Sequence, residues 1–169
     1  ARAMEESGPL MLTEGKGVYV KDNAGKQYLE AMSGLWCASL GFDQDRLVKA
    51  ATDQLKKLPY YHTFNGRTTD ISMELAEKLL SVAPVEMSKV FFCGSGSEAN
   101  DTAIKFIWYY NNALGRPEKK KIISRVKGYH GVTLAAASMT ALPNNQRDFD
   151  LPFDMFRHTT CPHHYRFGK

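Results

Sequence analysis

The stretch VFFCGSGSEANDTAIKF, from Val90 to Phe106, constrains the fold of this chain more than any other. An apolar run typical of a strand is followed by alternating glycines and serines, and then by a helix-like pattern. Gly94 and Gly96 permit a close backbone approach, and the first N–H groups of a helix have no partner within it. This turn is therefore predicted to bind an anion at the helix N-terminus.

The segments after this turn indicate the fold class. The helix is predicted from Glu98 to about Leu114, and KIISRV, from Lys121 to Val126, predicts a second strand. A Gly-Tyr-His-Gly turn and the helix-like run VTLAAASMTAL follow it. Strand and helix in alternation predict an α/β protein, with a mostly parallel sheet flanked by helices.

The residues before the turn are predicted to form a separate N-terminal segment. Residues 17–31 alternate around Asp-Asn-Ala-Gly and predict a β-hairpin, whereas residues 33–42 are rich in small side chains and irregular. Helices are predicted from about Asp43 to Pro59 and from about Asp70 to Pro84. We divide the chain into this segment, residues 1–59, and the first part of a larger domain, residues 60–169.

Composition excludes several classes of protein. The net charge of the 169 residues is only +4 and the longest basic run is three lysines, so we expect no nucleic-acid partner. The sequence contains no uninterrupted run of about 18 apolar residues, so we expect no membrane span. The three cysteines, Cys37, Cys93 and Cys161, are odd in number and far apart, which favours a reducing compartment, and we expect a cytoplasmic protein.

The turn itself leaves more than one anion open. A P-loop NTPase is excluded because no lysine follows Gly96 at the required place. Residues 94–99 do match the dinucleotide pattern G-x-G-x-x-A. The NAD form also needs an acidic residue about 20 positions further on, where this chain has Arg125 and Lys127. An NADP-binding oxidoreductase therefore stays open, as does a capped turn without a ligand.

A third ligand is a cofactor that combines one phosphate with an aromatic ring. Tyr129 and His130 follow the second predicted strand, and ligands of open parallel sheets bind at the carboxyl ends of the strands. A tyrosine beside a phosphate-binding turn offers a flat surface on which a pyridine ring stacks. The turn and this aromatic loop together favour such a cofactor.

With these motifs in place, the chain resembles the class III aminotransferases, which are fold-type I enzymes dependent on pyridoxal 5′-phosphate. It is most similar to the ω-amino acid:pyruvate branch of that family. The matching stretches are AMSGLWCASLGF, FFCGSGSEANDTAIK, GYHG and CPHHYRFG. The resemblance implies that the chain is the N-terminal segment and first part of the cofactor-binding large domain, and so an incomplete fold.

The resemblance also implies which residues bind the cofactor. Ser95, Gly96 and Ser97 would hold its phosphate, and Tyr129 would stack on its pyridine ring. His130 belongs to the same loop and is included among the cofactor-binding residues.

A substrate pocket at a dimer interface is implied in the same way. Trp36 would form part of the pocket wall, with Leu35 and Phe64 as further candidates. The loop YYHTFNGR, residues 60–67, is expected to reach the site of the partner subunit in a homodimer or larger assembly.

The implied reaction is a ping-pong transfer of an amino group, from an amine or ω-amino acid to a keto acid such as pyruvate. The resemblance also implies that the family's Schiff-base lysine lies outside this sequence, since neither Lys105 nor Lys127 matches its position. We therefore expect no catalytic residue in this sequence. We expect the segment to be a cofactor-binding part of a longer enzyme and to be inactive by itself.

One short stretch of the sequence is rich in residues that can bind a metal ion. His158, Cys161, His163 and His164 occur within seven residues, but no second ligand pair stands at zinc-finger spacing. We expect a strand and a loop there, and no metal.

Overall fold

The computed structural model describes residues 8–168. These residues form two compact units that are divided within a helix after Leu75, and each unit has its own sheet. The predicted domain boundary at residue 59 stays a prediction. Across residues 8–168, the model contains no helix with the length and apolar character needed to cross a membrane.

The first unit contains a three-stranded antiparallel sheet in the order β1-β2-β3. Its strands are β1 (Leu12–Lys16), β2 (Tyr19–Asp22) and β3 (Gln27–Leu29). The predicted hairpin is confirmed as β2 and β3, with Tyr19 opposite Leu29. β1 is not predicted by its sequence, because Leu-Thr-Glu-Gly-Lys does not alternate between apolar and polar side chains.

Asp22 closes the hairpin turn. Its carboxylate accepts the N–H groups of Ala24 and Lys26, both at 2.9 Å, and the hydroxyl of Tyr28 at 2.8 Å. The hydrogen bond from Tyr28 is the largest influence on Asp22 and lowers its pKa, while burial acts in the opposite direction. The turn is therefore held by a charged side chain as well as by its backbone.

The predicted irregular segment contains α1 (Ser33–Trp36), a single turn in the left-handed sense. All four of its φ angles lie between 51° and 69°. This region costs about 1–2 kcal/mol for each residue other than glycine. The carboxylate of Glu30 accepts the N–H groups of Met32 at 3.1 Å and Gly34 at 2.7 Å, which offsets part of that strain.

Two right-handed helices follow, α2 (Asp45–Lys57) and α3 (Asp70–Val82), and both were predicted. Asp45 in the first turn of α2 and Lys57 in its last turn suit the helix dipole. The helix ends because Leu58, which precedes a proline, is extended.

The second unit places two helices against a parallel pair of strands. Its elements are α4 (Gly96–Ala113), β4 (Ile122–Arg125), α5 (Leu134–Met139), a 3-10 turn (Pro143–Asn145), β5 (Phe156–Thr159) and α6 (His164–Phe167). The strand and two helices predicted between residues 98 and 142 are confirmed. β4 and β5 are parallel, with Ile122 opposite Phe156 and Arg125 opposite Thr159.

The core of this unit lies between α4, α5 and the strand pair. Ile104, Ala136, Met139 and Phe156 are buried there, with exposed fractions of 8% or less. Trp108 packs against this cluster and donates its indole N–H to the carbonyl of Lys120 at 3.1 Å. The core thus joins α4 to the start of β4.

The strand predicted at Val90–Cys93 is wrong, because these residues have no strand assignment. Among residues 8–168, β4 pairs only with β5, and no strand lies beside Val90–Cys93. Phe91 is 68% exposed and Phe92 47% exposed. An extended apolar run without a neighbouring strand cannot form the hydrogen bonds that define a sheet.

Candidate functional site

The site is built on the turn that begins α4. Ser95 is the N-cap in an extended conformation, and its Oγ accepts the N–H of Glu98 at 3.2 Å. The Glu98 carboxylate accepts the Ser95 hydroxyl in return at a long 3.4 Å. Serine followed three residues later by glutamate is a capping pattern, so the sequence itself determines where the helix starts.

The first turn of α4 retains free hydrogen-bond donors. Gly96 and Ser97 are its first two residues, and their N–H groups have no partner inside the helix. Within residues 8–168, neither group donates to a loop or cap acceptor either. A Cβ built on Gly96 would meet nothing within 4 Å. The turn therefore combines open space with unpaired donors at the positive end of an 18-residue helix.

The aromatic loop after β4 is hydrogen-bonded to this same turn. The N–H of Val132 donates to the hydroxyl oxygen of Ser97 at 3.1 Å. Since the oxygen is the acceptor, the hydroxyl proton of Ser97 stays available to another acceptor. One serine thus contacts the loop and also offers a donor at the helix N-terminus.

Two further side chains of α4 hold the loop. The amide nitrogen of Asn100 donates to the carbonyl of His130 at 2.7 Å. The carboxylate of Asp101 accepts the hydroxyl of Thr133 at 2.8 Å. The predicted anion turn and the predicted stacking loop, 30 residues apart in the sequence, are therefore one connected site.

Gly131 is the point of closest approach between the loop and α4. Its φ is +131°, and a Cβ there would lie 2.4 Å from Oγ of Ser97 and 2.9 Å from Cβ of Ala136. No real Cβ fits at these distances. The loop can lie this close to the predicted anion turn only because residue 131 is glycine.

The loop leaves Tyr129 accessible. The tyrosine is 58% exposed, and His130 is half-buried with both of its backbone groups hydrogen-bonded. A loop that carries an accessible ring, and that is hydrogen-bonded to a turn with free N–H donors, suits a ligand with an anionic group and a flat ring. The residues present therefore fit a phosphorylated aromatic cofactor.

The predicted pocket residues belong to the first unit. Leu35 and Trp36 are consecutive residues of the left-handed turn α1 and are 62% and 76% exposed. Phe64 lies in the loop of residues 60–67 and is 80% exposed. Each of the three presents an apolar surface.

Neither lysine considered for catalysis contacts the anion turn through a hydrogen bond in the described part of the chain. The ammonium of Lys127 lies 4.7 Å from the centre of the Phe167 ring. Lys105 lines a cavity of about 380 Å³ together with Phe91, Gly94 and Glu98. The expectation that neither is the Schiff-base lysine stays a prediction.

Among residues 8–168, no three histidine, cysteine, aspartate or glutamate side chains converge, and the histidines near the end of the chain contact other groups. His158 lies on β5, and its Nε2 is 3.2 Å from the carbonyl of Met139. His163 caps α6 by accepting the N–H of Arg166 at 3.2 Å.

Some site residues were not identified from the sequence. Asn100 and Asp101 were visible as polar residues in the first helical turn, but their bonds to residues 130 and 133 depend on tertiary contact. Thr140, whose hydroxyl contacts the loop, sits at the end of α5 with no local signal that separates it from an ordinary helix terminus.

Comparison with known proteins places this geometry in context. A model of the class III aminotransferase family matches residues 2–165. The mitochondrial gamma-aminobutyrate transaminase 1 of Oryza sativa subsp. japonica is 56% identical over 160 residues, which are 94% of this chain and 31% of that protein. The vanillin aminotransferase of Capsicum frutescens is 54% identical over 160 residues, 94% of this chain and 35% of that protein.

The fold of this chain also closely matches a solved structure. The omega transaminase from Pseudomonas jessenii, crystallised in complex with PMP, has a TM-score of 0.96 and 60% identity, with 100% of this chain and 37% of that chain covered. This agreement confirms the predicted mixed α/β fold class as part of a larger solved fold. The chain spans about a third of the length of the relatives it matches.

Proposed function

Because this chain belongs to the class III aminotransferases, as its motifs predict, we propose that it is part of a pyridoxal-phosphate-dependent transaminase. Its reaction moves an amino group from an amine or ω-amino acid to a keto acid such as pyruvate, in two successive half-reactions. The observation that carries the proposal is the junction of the α4 turn with the aromatic loop, through Ser97 and Val132 and through Asn100 and His130.

In this proposal the phosphate of the cofactor lies at the start of α4. The N–H groups of Gly96 and Ser97 and the hydroxyl proton of Ser97 donate to it. Ser95 contributes when its hydroxyl turns away from Glu98, which its long 3.4 Å hydrogen bond permits. The positive end of the helix dipole favours the same anion.

The aromatic loop positions the ring of the cofactor. Tyr129 supplies the stacking surface, and His130 keeps the loop in place through its two backbone hydrogen bonds. When bound, pyridoxal phosphate supplies an electron sink for the electron pair left on the amine-bearing carbon after deprotonation. The proposed part of this chain is to hold and orient that group, and the Schiff-base lysine is expected outside the chain.

We propose that Trp36, Leu35 and Phe64 limit the size of the amino donor. Large exposed apolar side chains are suited to lining a pocket once other surfaces cover them. Family membership favours a single phosphate over the dinucleotide of an NADP-binding oxidoreductase at the Gly-Ser turn. The segment alone is proposed to be inactive.

Assembly and location are also proposals. A different loop, residues 60–67, exposes Tyr60 at 78% and Phe64 at 80%, and these apolar rings support contact with a partner subunit in a homodimer. The structure contains free thiols at Cys37, Cys93 and Cys161, which supports a reducing compartment such as the cytoplasm.

The test is an absorption spectrum of the full-length protein with bound cofactor, recorded before and after addition of an amine. We expect a visible band that moves to the near ultraviolet with the amine and returns with pyruvate. Replacement of Tyr129 by leucine removes the stacking ring and weakens cofactor binding, whereas Tyr129→Phe retains the ring and serves as the matched control. A protein that binds no pyridoxal phosphate, or whose band does not respond to any amine, contradicts the proposal.

A further inference from the structure

The hydroxyl of Thr140 lies beneath the aromatic loop, in a fully buried position with an exposed fraction of 0%. Its oxygen accepts the N–H of His130 at 2.8 Å, and its proton is donated to the carbonyl of Gly131 at 3.1 Å. One hydroxyl thus uses both its donor and its acceptor on two consecutive residues of the loop.

Thr140 is itself held in place. Its N–H donates to the carbonyl of Ala136 at 3.0 Å, and its own carbonyl accepts from the side-chain amide of Gln146. With both backbone groups bonded, the orientation of the hydroxyl is set by the end of α5. The β-methyl group of threonine restricts the side-chain torsion further.

The next residue extends the same contact. The N–H of Ala141 donates to the carbonyl of Gly128 at 2.9 Å, and the carbonyl of Ala141 accepts the N–H of Lys127 at 3.1 Å. Residues 140 and 141 therefore bond to the loop on both sides of Tyr129, although no bond is made to Tyr129 itself.

We propose that Thr140 is a positioning residue for Tyr129, an inference that rests on the proposed function. Asn100 holds the carbonyl of His130 from the side of α4, and Thr140 holds the N–H of the same residue from the side of α5. The peptide group between Tyr129 and His130 is therefore held through its N–H. A fixed backbone at this point restricts the orientation of the Tyr129 ring. Thr140 touches neither substrate nor cofactor and acts only through the loop.

The alternative is a hydroxyl that only stabilises the fold. Ser138 on the same helix fits that description and offers a matched control. It is also 0% exposed, donates to the carbonyl of Leu134 at 2.8 Å and accepts the N–H of Phe153 at 3.3 Å. None of its hydrogen bonds reaches residues 127–133.

The test compares Thr140→Val, Thr140→Ser and Ser138→Ala in the full-length protein. Valine has nearly the shape of threonine but leaves the N–H of His130 and the carbonyl of Gly131 unpaired, whereas serine retains the hydroxyl. The readouts are hydrogen exchange at the amide of His130 in cofactor-free protein, the Kd for pyridoxal phosphate, and the absorption band of the bound cofactor.

We expect Thr140→Val to speed exchange at His130 and to weaken cofactor binding about tenfold, because the loop that carries Tyr129 loses both of its hydrogen bonds to the threonine hydroxyl. The absorption band should shift as the stacked ring moves. Thr140→Ser should restore most of the affinity and the band. Ser138→Ala should lower the melting temperature and leave both the Kd and the band unchanged.

Two results overturn the inference. In the first, Thr140→Val has the Kd and band of the wild type. In the second, Ser138→Ala alters them as much as Thr140→Val does, which would make the role of Thr140 structural only. A wild-type protein that binds no pyridoxal phosphate contradicts the proposed function instead, and that result is read before any variant is compared.

Discussion

The backbone N–H of Val132 donates to Oγ of Ser97 at 3.1 Å, across 35 residues of sequence. Ser97 belongs to the turn that starts α4, and Val132 follows the loop that carries Tyr129. Both residues belong to the second unit, so this unit alone fixes how far the loop that carries Tyr129 lies from the predicted anion turn.

Ser97→Ala is expected to weaken binding of pyridoxal phosphate by about tenfold or more, because hydrogen bonds to charged groups contribute about 1.5–3 kcal/mol. The variant also leaves the N–H of Val132 without its acceptor. Affinity is measured by titration of the cofactor-free protein. Ser81→Ala is the control, since the exposed hydroxyl of Ser81 donates to the carbonyl of Lys78 within α3. Equal affinities for both variants would contradict the assignment of Ser97.

Gly131→Ala is expected to lower both the melting temperature and cofactor affinity, because the added Cβ would lie 2.4 Å from Oγ of Ser97. The loop would have to move away from α4. Gly115→Ala separates this clash from backbone strain: Gly115 has a φ of +69° but nothing within 4 Å of the added atom. That control should lose only about 1–2 kcal/mol of stability and retain its affinity. A milder effect at residue 131 than at residue 115 would refute the close approach.

Asp101 and Thr133 are expected to be energetically coupled, because the carboxylate accepts the hydroxyl at 2.8 Å. A double-mutant cycle with Asp101→Ala and Thr133→Val, followed by denaturant unfolding, should give a coupling energy of about 1 kcal/mol or more. Additivity of the two substitutions would mean that the Asp101 bond does not hold the loop.

The local features of this site could be predicted from the sequence, and its connections could not. The Gly-Ser turn, the helix after it and the Gly-Tyr-His-Gly loop all follow from neighbouring residues, although α4 begins at Gly96 and not at the predicted Glu98. The bonds from Asn100 to His130 and from Thr140 to the loop join residues that are 30 and 10 positions apart. Which polar side chain finds which backbone group depends on how α4 and α5 pack.

The error at Val90–Cys93 has a related cause. An apolar run has the composition of a buried strand, but a strand exists only where another strand supplies its hydrogen bonds. The left-handed turn at Ser33–Trp36 could not be predicted from the sequence either. Only one of its four residues, the glycine, favours a positive φ. Both features are decided by the surroundings of the segment.

Tyr28→Phe is expected to lower the melting temperature at neutral pH, and the difference from the wild type should shrink in acid. The Tyr28 hydroxyl is the main cause of the lowered pKa of Asp22. A carboxyl with a lowered folded pKa adds stability that is present above its unfolded value, near 3.8, and is lost as the pH falls through the folded value. Tyr19→Phe, on an exposed ring of β2, should behave as the wild type. A pH-independent difference for Tyr28→Phe would refute the charged acceptor.

Glu30→Ala is expected to loosen the left-handed turn that carries Leu35 and Trp36. The carboxylate holds the N–H groups of Met32 at 3.1 Å and Gly34 at 2.7 Å, and without it the strain of the turn is less well offset. Hydrogen exchange at these two amides should speed up about tenfold, which corresponds to about 1.4 kcal/mol.

The same variant tests whether the turn sets the size of the substrate. If Trp36 forms a pocket wall, a looser turn should change the ratio of kcat/KM for a bulky amine over a small amine several-fold, with cofactor affinity unchanged. Glu14→Ala is the control, because Glu14 is exposed and its carboxylate pairs with Lys21 on the neighbouring strand. Unchanged exchange at residues 32 and 34 would show that the turn holds its shape without the carboxylate. Faster exchange with an unchanged ratio would instead separate the turn from substrate selection, and Trp36 would lose its proposed role.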